Sequence, residues 1–105
     1  MAHWDSNVPD LTIEIGGVKI PGVIVDGGLV RNIMFDKTRK SLGIRKLEAT
    51  PFLVRMEDQR RVQPLGIARD VMVKIEEVTF PIVFTIIQME EVLGGYPLFL
   101  GCHWL

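Results

Sequence analysis

The chain has 105 residues, with 12 Lys and Arg against 13 Asp and Glu, a net charge of −1, and 48% hydrophobic residues. That is material for one packed domain without a disorder signature, and the balanced charge argues against a nucleic-acid or anionic-membrane surface. The longest apolar run, residues 78–87, falls well short of the roughly 20 residues of a membrane helix, no secretory leader opens the chain, and the single Cys102 excludes an intrachain disulfide and fits a reducing, cytoplasmic setting.

Residues 1–10 are polar, carry Pro9, and read as an arm or linker remnant ahead of a domain spanning residues 11–105. Leu11, Ile13 and Ile15 alternate with Thr12 and Glu14, the period-two pattern of a half-buried strand. Gly16-Gly17 signals a hairpin turn. Residues 18–25 run apolar, are interrupted at Pro21-Gly22, and stop at Asp26-Gly27-Gly28. A short segment over residues 29–35 leads into a charged stretch, residues 36–42, which is the one helix expected, stopped by Gly43. Residues 53–56 and 61–65 read as two arms of a hairpin around Glu57-Asp58-Gln59. Residues 71–75 alternate again, Glu76-Glu77 turns, and residues 78–87 are β-rich. A glycine-containing loop over residues 93–96, a short apolar strand over 97–100 and a tail over 101–105 complete the chain. The expected fold class is mostly β with one short helix.

Laying residues 11–25 over residues 71–85 aligns two hairpins throughout. Ile15/Ile75, Val18/Val78, Pro21/Pro81 and Val23/Val83 are identical, and both turns coincide. Two amphipathic hairpins can look alike by chance; the other reading is a fold built from two similar halves related by approximate two-fold symmetry.

Asp26 is the residue with chemistry to explain. It follows an apolar run that should be buried, where a carboxylate costs free energy unless donors surround it. As a turn residue held by its own loop it needs no function. As one of two such residues facing each other across a dimer axis it would share a proton, since like charges about 3 Å apart cannot both ionise. The charged member would activate a water and the neutral one would hydrogen-bond a scissile carbonyl. No second Asp precedes glycine in this chain, so the partner has to come from another copy.

Val25-Asp26-Gly27-Gly28, Leu65-Gly66-Ile67 and the closing Tyr96-Pro97-Leu98-Phe99-Leu100-Gly101-Cys102-His103-Trp104-Leu105 resemble the retropepsin-like aspartic proteases, with the similarity nearest to gypsy-type plant retroelement polyproteins and host proteins derived from them. The resemblance runs from Leu11 to Leu105. It implies a half-barrel with a flap hairpin, a homodimer acting on peptides or polyproteins, and no cofactor or metal. Asp26 would be the catalytic aspartate, Gly27 and Gly28 its active-site loop, and residues 55–63, with Met56, Glu57, Asp58 and Gln59 against substrate, the flap. Leu29, Val30, Gly95, Tyr96 and Pro97 would line side-chain pockets, and Gly66 would sit near the core loop supporting the active-site turn. Substrate would bind by strand addition.

The family carries Thr or Ser after the aspartate, and Asp-Gly-Gly variants occur among plant retroelements. Gly27 lacks the hydroxyl that links the two catalytic loops, a loss of about 0.5–1.5 kcal/mol per bond. The chain also stops at Leu105, where the family's C-terminal helix begins, so a truncated helix is expected. Both departures keep a rival open, a non-catalytic dimerisation or peptide-binding module of the same fold. Other sites are weaker: His3, Cys102 and His103 fit no zinc spacing, Cys102 beside His103 makes a poor nucleophile–base pair, and Arg31, Lys37, Arg39, Lys40, Arg45 and Lys46 read as a solvated basic face.

Overall fold

The computed structural model describes residues 10–26, 31–55, 61–88 and 97–101. The first alternating run forms β1 (Asp10–Ile15), which turns at Gly16-Gly17 into β2 (Val18–Asp26). β1 therefore opens at Asp10, which pairs with Ile24. In the described part of the segment that follows Asp26, the strand is β3 (Asn32–Phe35), followed directly by the helix α1 (Asp36–Leu42) at its expected bounds. The helix ends at Gly43, whose N–H reaches the Lys40 carbonyl at 3.1 Å. Two short strands, β4 (Val54–Arg55) and β5 (Arg61–Val62), pair antiparallel as the hairpin around residues 57–59 requires. β6 (Gly66–Ile75), β7 (Val78–Ile87) and β8 (Leu98–Gly101) follow. β6 starts five residues before the alternation at Val71, and the second arm of the hairpin is correspondingly short.

Six strands close a barrel in the order β1-β2-β8-β3-β7-β6, with β6 returning to β1 through Glu14↔Lys74 and Ile15↔Val73. Among the described residues the structure is thus mostly β with one short helix, as the residue pattern requires. β8 lies between β2 and β3, parallel to the first and antiparallel to the second, and β3 runs parallel to β7.

The barrel is filled by Ile13, Val23, Met34, Val73, Phe84, Ile86, Leu98 and Leu100, all essentially inaccessible to water. Burying each such side chain contributes about 1.5–3 kcal/mol. A second cluster forms outside the wall, where Ile33, Phe35 and Ile87 meet Val54 of β4, with Val62 of β5 and Phe99 of β8 packed against them. Phe35 and Phe99 meet edge to face at 5.9 Å, a favoured aromatic geometry. β3 is therefore buried on both faces, and the base of the β4–β5 hairpin is seated on it.

The two long hairpins match each other for only part of their length. Ile15↔Val18, Glu14↔Lys19 and Ile13↔Ile20 have direct counterparts in Ile75↔Val78, Lys74↔Thr79 and Val73↔Phe80. Beyond these pairs each hairpin carries a bulge, and the bulges sit on opposite strands. In the first, Pro21-Gly22 of β2 faces Thr12; in the second, Arg69-Asp70 of β6 faces Val83. An extra residue reverses which face the rest of its strand presents. Val23 is consequently fully buried, whereas its sequence counterpart Val83 is 40% exposed. Gly22 and Asp70 take the bulge's left-handed backbone, with φ of 74° and 55°.

Gly66 opens β6 against the chain before the hairpin. Glu48 and Ile67 exchange two backbone hydrogen bonds of 2.9 and 2.8 Å, and a Cβ on Gly66 would lie 2.8 Å from the Glu48 carbonyl oxygen. Glycine is required there by close approach of backbone. Arg69 Nε also donates to Glu48 Oε1 at 2.8 Å, and Gln63 Nε2 to the Thr50 carbonyl at 3.3 Å, so residues 48–50 are fastened to residues 63–69. Among the described residues, no helix is long and apolar enough to cross a membrane.

Candidate active site

The apolar run Gly22-Val23-Ile24-Val25 is a strand because its neighbours on both sides are strands. β1 pairs with its start, and β8 pairs with its end through Ile24↔Phe99, Val25↔Leu100 and Asp26↔Gly101. Asp26 is thus the last residue of β2, level with the last residue of β8, at one rim of the barrel. Gly101 is buried, and its partners are defined on both sides: Asp26 across the parallel ladder and Asn32 at the start of β3.

Asn32, which the sequence reading did not single out, stands beside this strand end. Only 6% of it is exposed. Its Oδ1 accepts from the Gly101 N–H at 2.9 Å, and its Nδ2 donates to the Val83 carbonyl at 3.2 Å. One carboxamide therefore ties β3, β8 and β7 together beside the end of β2. The backbone partners fix which end of the amide is which, since an N–H must meet an acceptor and a carbonyl must meet a donor. The sequence did carry a signal: Asn32 is the one polar residue of Asn-Ile-Met-Phe, a tetrad whose other three residues are apolar. A buried carboxamide in such a strand must find partners.

Pro97, expected in a pocket-lining loop, is half-buried just before β8. Its carbonyl accepts from Thr38 Oγ1 at 3.0 Å and from the Phe35 N–H at 3.4 Å, so α1 and the end of β3 hold the entry to β8. Within the expected flap, Arg55 pairs with Arg61 and Val62 with Val54 across β4 and β5, and Val54 and Val62 lie on the second apolar cluster. Arg31 stands with its guanidinium carbon 5.2 Å from the Phe52 ring centroid, a cation–π contact joining the start of β3 to the approach of the hairpin. Gly66 packs on Leu47 and Glu48 and pairs with Ile86.

The basic stretch is not a uniformly solvated face. Arg39 Nε donates to Asp36 Oδ1 and its Nη1 to the Ile44 carbonyl at 2.7 Å, Arg31 lies over Phe52, and Lys37, Lys40, Arg45 and Lys46 are the exposed members. Among the described residues, no group of three or more His, Cys, Asp and Glu side chains could hold a metal ion. Gly27, Gly28, Leu29, Val30, Met56, Glu57, Asp58, Gln59, Gly95 and Tyr96 lie outside the described residues, as do residues 1–9 and 102–105 with His3, Cys102, His103 and the start of the expected terminal helix.

No protein-family model matches the chain, and no curated protein matches it. Among solved structures it is similar to the retroviral protease-like domain of Ddi1 from Leishmania major, with a TM-score of 0.64 and 19% sequence identity, covering 90% of this chain and 67% of that one. At this identity the likeness establishes the fold, which is retropepsin-like.

Proposed function

We propose that the chain is an aspartic-type endopeptidase domain that works as a homodimer, with one Asp26 from each copy at the dimer axis. The observation that carries this reading is the position of Asp26. In a barrel of this fold, the only Asp-Gly of the sequence falls at the end of β2, held level with Gly101 of the interleaved β8. Two such carboxyls side by side share one proton. The ionised one draws a proton from a water, and the protonated one donates to the carbonyl oxygen under attack; the pair then returns the proton to the leaving amine. This chemistry needs neither metal nor cofactor. Each copy supplies half of it, so the monomer is inert.

An extended peptide is the substrate class that suits the site, bound as an added strand beneath the hairpin that β4 and β5 begin. The likeness of residues 96–105 to plant gypsy-type retroelement polyproteins makes descent from such an element, and a polyprotein as natural substrate, part of the proposal. A cytoplasmic setting belongs to it too.

Incubating the protein with a peptide library at acidic and neutral pH tests the reading. The wild type is expected to cleave, and Asp26→Asn to lose cleavage with an unchanged circular-dichroism spectrum; equal turnover by the mutant would sink the assignment. Gly27 in place of Thr or Ser favours a second reading, a binding module without catalysis. Peptide retention by both proteins, with cleavage by neither, identifies it.

A further inference from the structure

We propose that Asn32 is the positioning residue for Asp26, acting through Gly101. In its catalytic part this rests on the endopeptidase reading; in its structural part it stands on the hydrogen bonds alone. Asp26 and Gly101 are the last pair of the β2–β8 ladder among the described residues. Here the Gly101 N–H is directed sideways into Asn32 Oδ1 at 2.9 Å. The same carboxamide is anchored by donating to the Val83 carbonyl at 3.2 Å. Asn32 thereby references the neighbour of Asp26 to β7, a strand in the barrel wall that β6 and β3 hold on either side.

The chemistry of the position is restrictive. It must accept from one backbone group and donate to another at the same time, from a buried site, at the reach of a two-carbon side chain. An amide does both at every pH. An ionised carboxylate accepts from Gly101 but presents a second oxygen to the Val83 oxygen, so two acceptors face each other. Only its protonated form can donate. A serine hydroxyl is too short to bridge both groups. Holding a reacting group to within a fraction of an ångström governs turnover more than substrate affinity.

The test compares wild type, Asn32→Asp and Asn32→Ser between pH 3.5 and 7. For Asn32→Asp, kcat should fall at least tenfold at pH 7 with KM within about twofold, and the deficit should shrink at acid pH as the introduced carboxyl protonates. Burial beside a carbonyl raises that group's pKa above the ordinary value near 3.9, so its donor is complete below that value and is lost as pH rises through the raised one. Asn32→Ser should lose turnover by a factor that does not depend on pH. In the same samples, Gly101 amide exchange should accelerate at least tenfold and the Asp26 carboxyl midpoint, followed by carbon NMR, should move in both variants. A wild-type kcat in Asn32→Asp, or an equal deficit at every pH, overturns the proposal. If the wild type cleaves nothing, the endopeptidase reading fails by itself, and the amide exchange and Asp26 midpoint judge Asn32; values equal to wild type overturn it.

Discussion

Asp36 is a carboxylate taken almost out of water, 5% exposed at the first turn of a seven-residue helix. A helix this short is marginal without tertiary support, and Phe35 at its N-cap supplies no side-chain bond. Asp36 meets both problems. Its charge complements the helix N-terminus, and it is bonded to Arg39, with Lys40 Nζ 3.4 Å from its other oxygen. The Arg39 hydrogen bond holds the Asp36 carboxyl below its ordinary pKa, outweighing the opposing effect of burial, with the Arg39 and Lys40 charges adding to it. A depressed folded-state value means stability that is present above the unfolded value near 3.9 and is lost as pH falls from there through the folded one. Asp36→Asn should therefore melt below wild type at pH 7, and the gap between them should close progressively below about pH 4. A gap that stays constant down to pH 2 contradicts this account of the pair. The consequence reaches the candidate site, because Thr38 of the same helix holds the Pro97 carbonyl at the entry to β8.

At the scale of elements, the two hairpins show what a residue pattern discloses and what it conceals. Alternation located the long strands and turns because a half-buried strand repeats every two residues whatever its neighbours are. The internal match was sound near the turns and misleading beyond them. Val23 and Val83 are the same residue at matched positions, yet one faces the core and the other water, because the bulges lie on opposite strands. Nothing in Pro21-Gly22 or Arg69-Asp70 taken alone says which strand takes up the extra residue; the partner strand decides. Val23→Ala should cost about 2 kcal/mol, as removal of buried methyl groups does, and Val83→Ala should stay within about 0.5 kcal/mol, as exposed changes do. Urea denaturation of the two variants checks it, and equal losses would restore the symmetric register. The helix and Asp26 were legible for local reasons, a charged run closed by glycine and an apolar run closed by an acid. Asn32 shows in the sequence only as a lone polar residue in an apolar tetrad; what it bonds was not legible, because its partners lie 51 and 69 residues away.

For the whole molecule, the decisive connection is the return of β8 between β2 and β3. Residues from the end of the chain complete the sheet around Asp26, so the rim carrying it exists only once the most sequence-distant pairing has formed. Such pairing is slow, since loop closure precedes its reward. One barrel assembled in this way still presents a single Asp26. On the endopeptidase reading, the missing carboxyl comes from a second barrel, and the contact between copies must hold the two loops in register. Thr or Ser after the aspartate would supply a hydroxyl from each side, and Gly27 supplies none. Restoring Gly27→Thr adds one such bond per copy, each contributing about 0.5–1.5 kcal/mol, which together lower the dimer Kd by about 5- to 150-fold. Sedimentation equilibrium of the two proteins over a concentration series measures it. The same substitution should raise turnover at dilute enzyme, where dimer is scarce, and leave it nearly unchanged at concentrations where both proteins are fully paired. An unaltered Kd would mean that the copies meet through surfaces away from residue 27, and the two acids would then need another reason to come together.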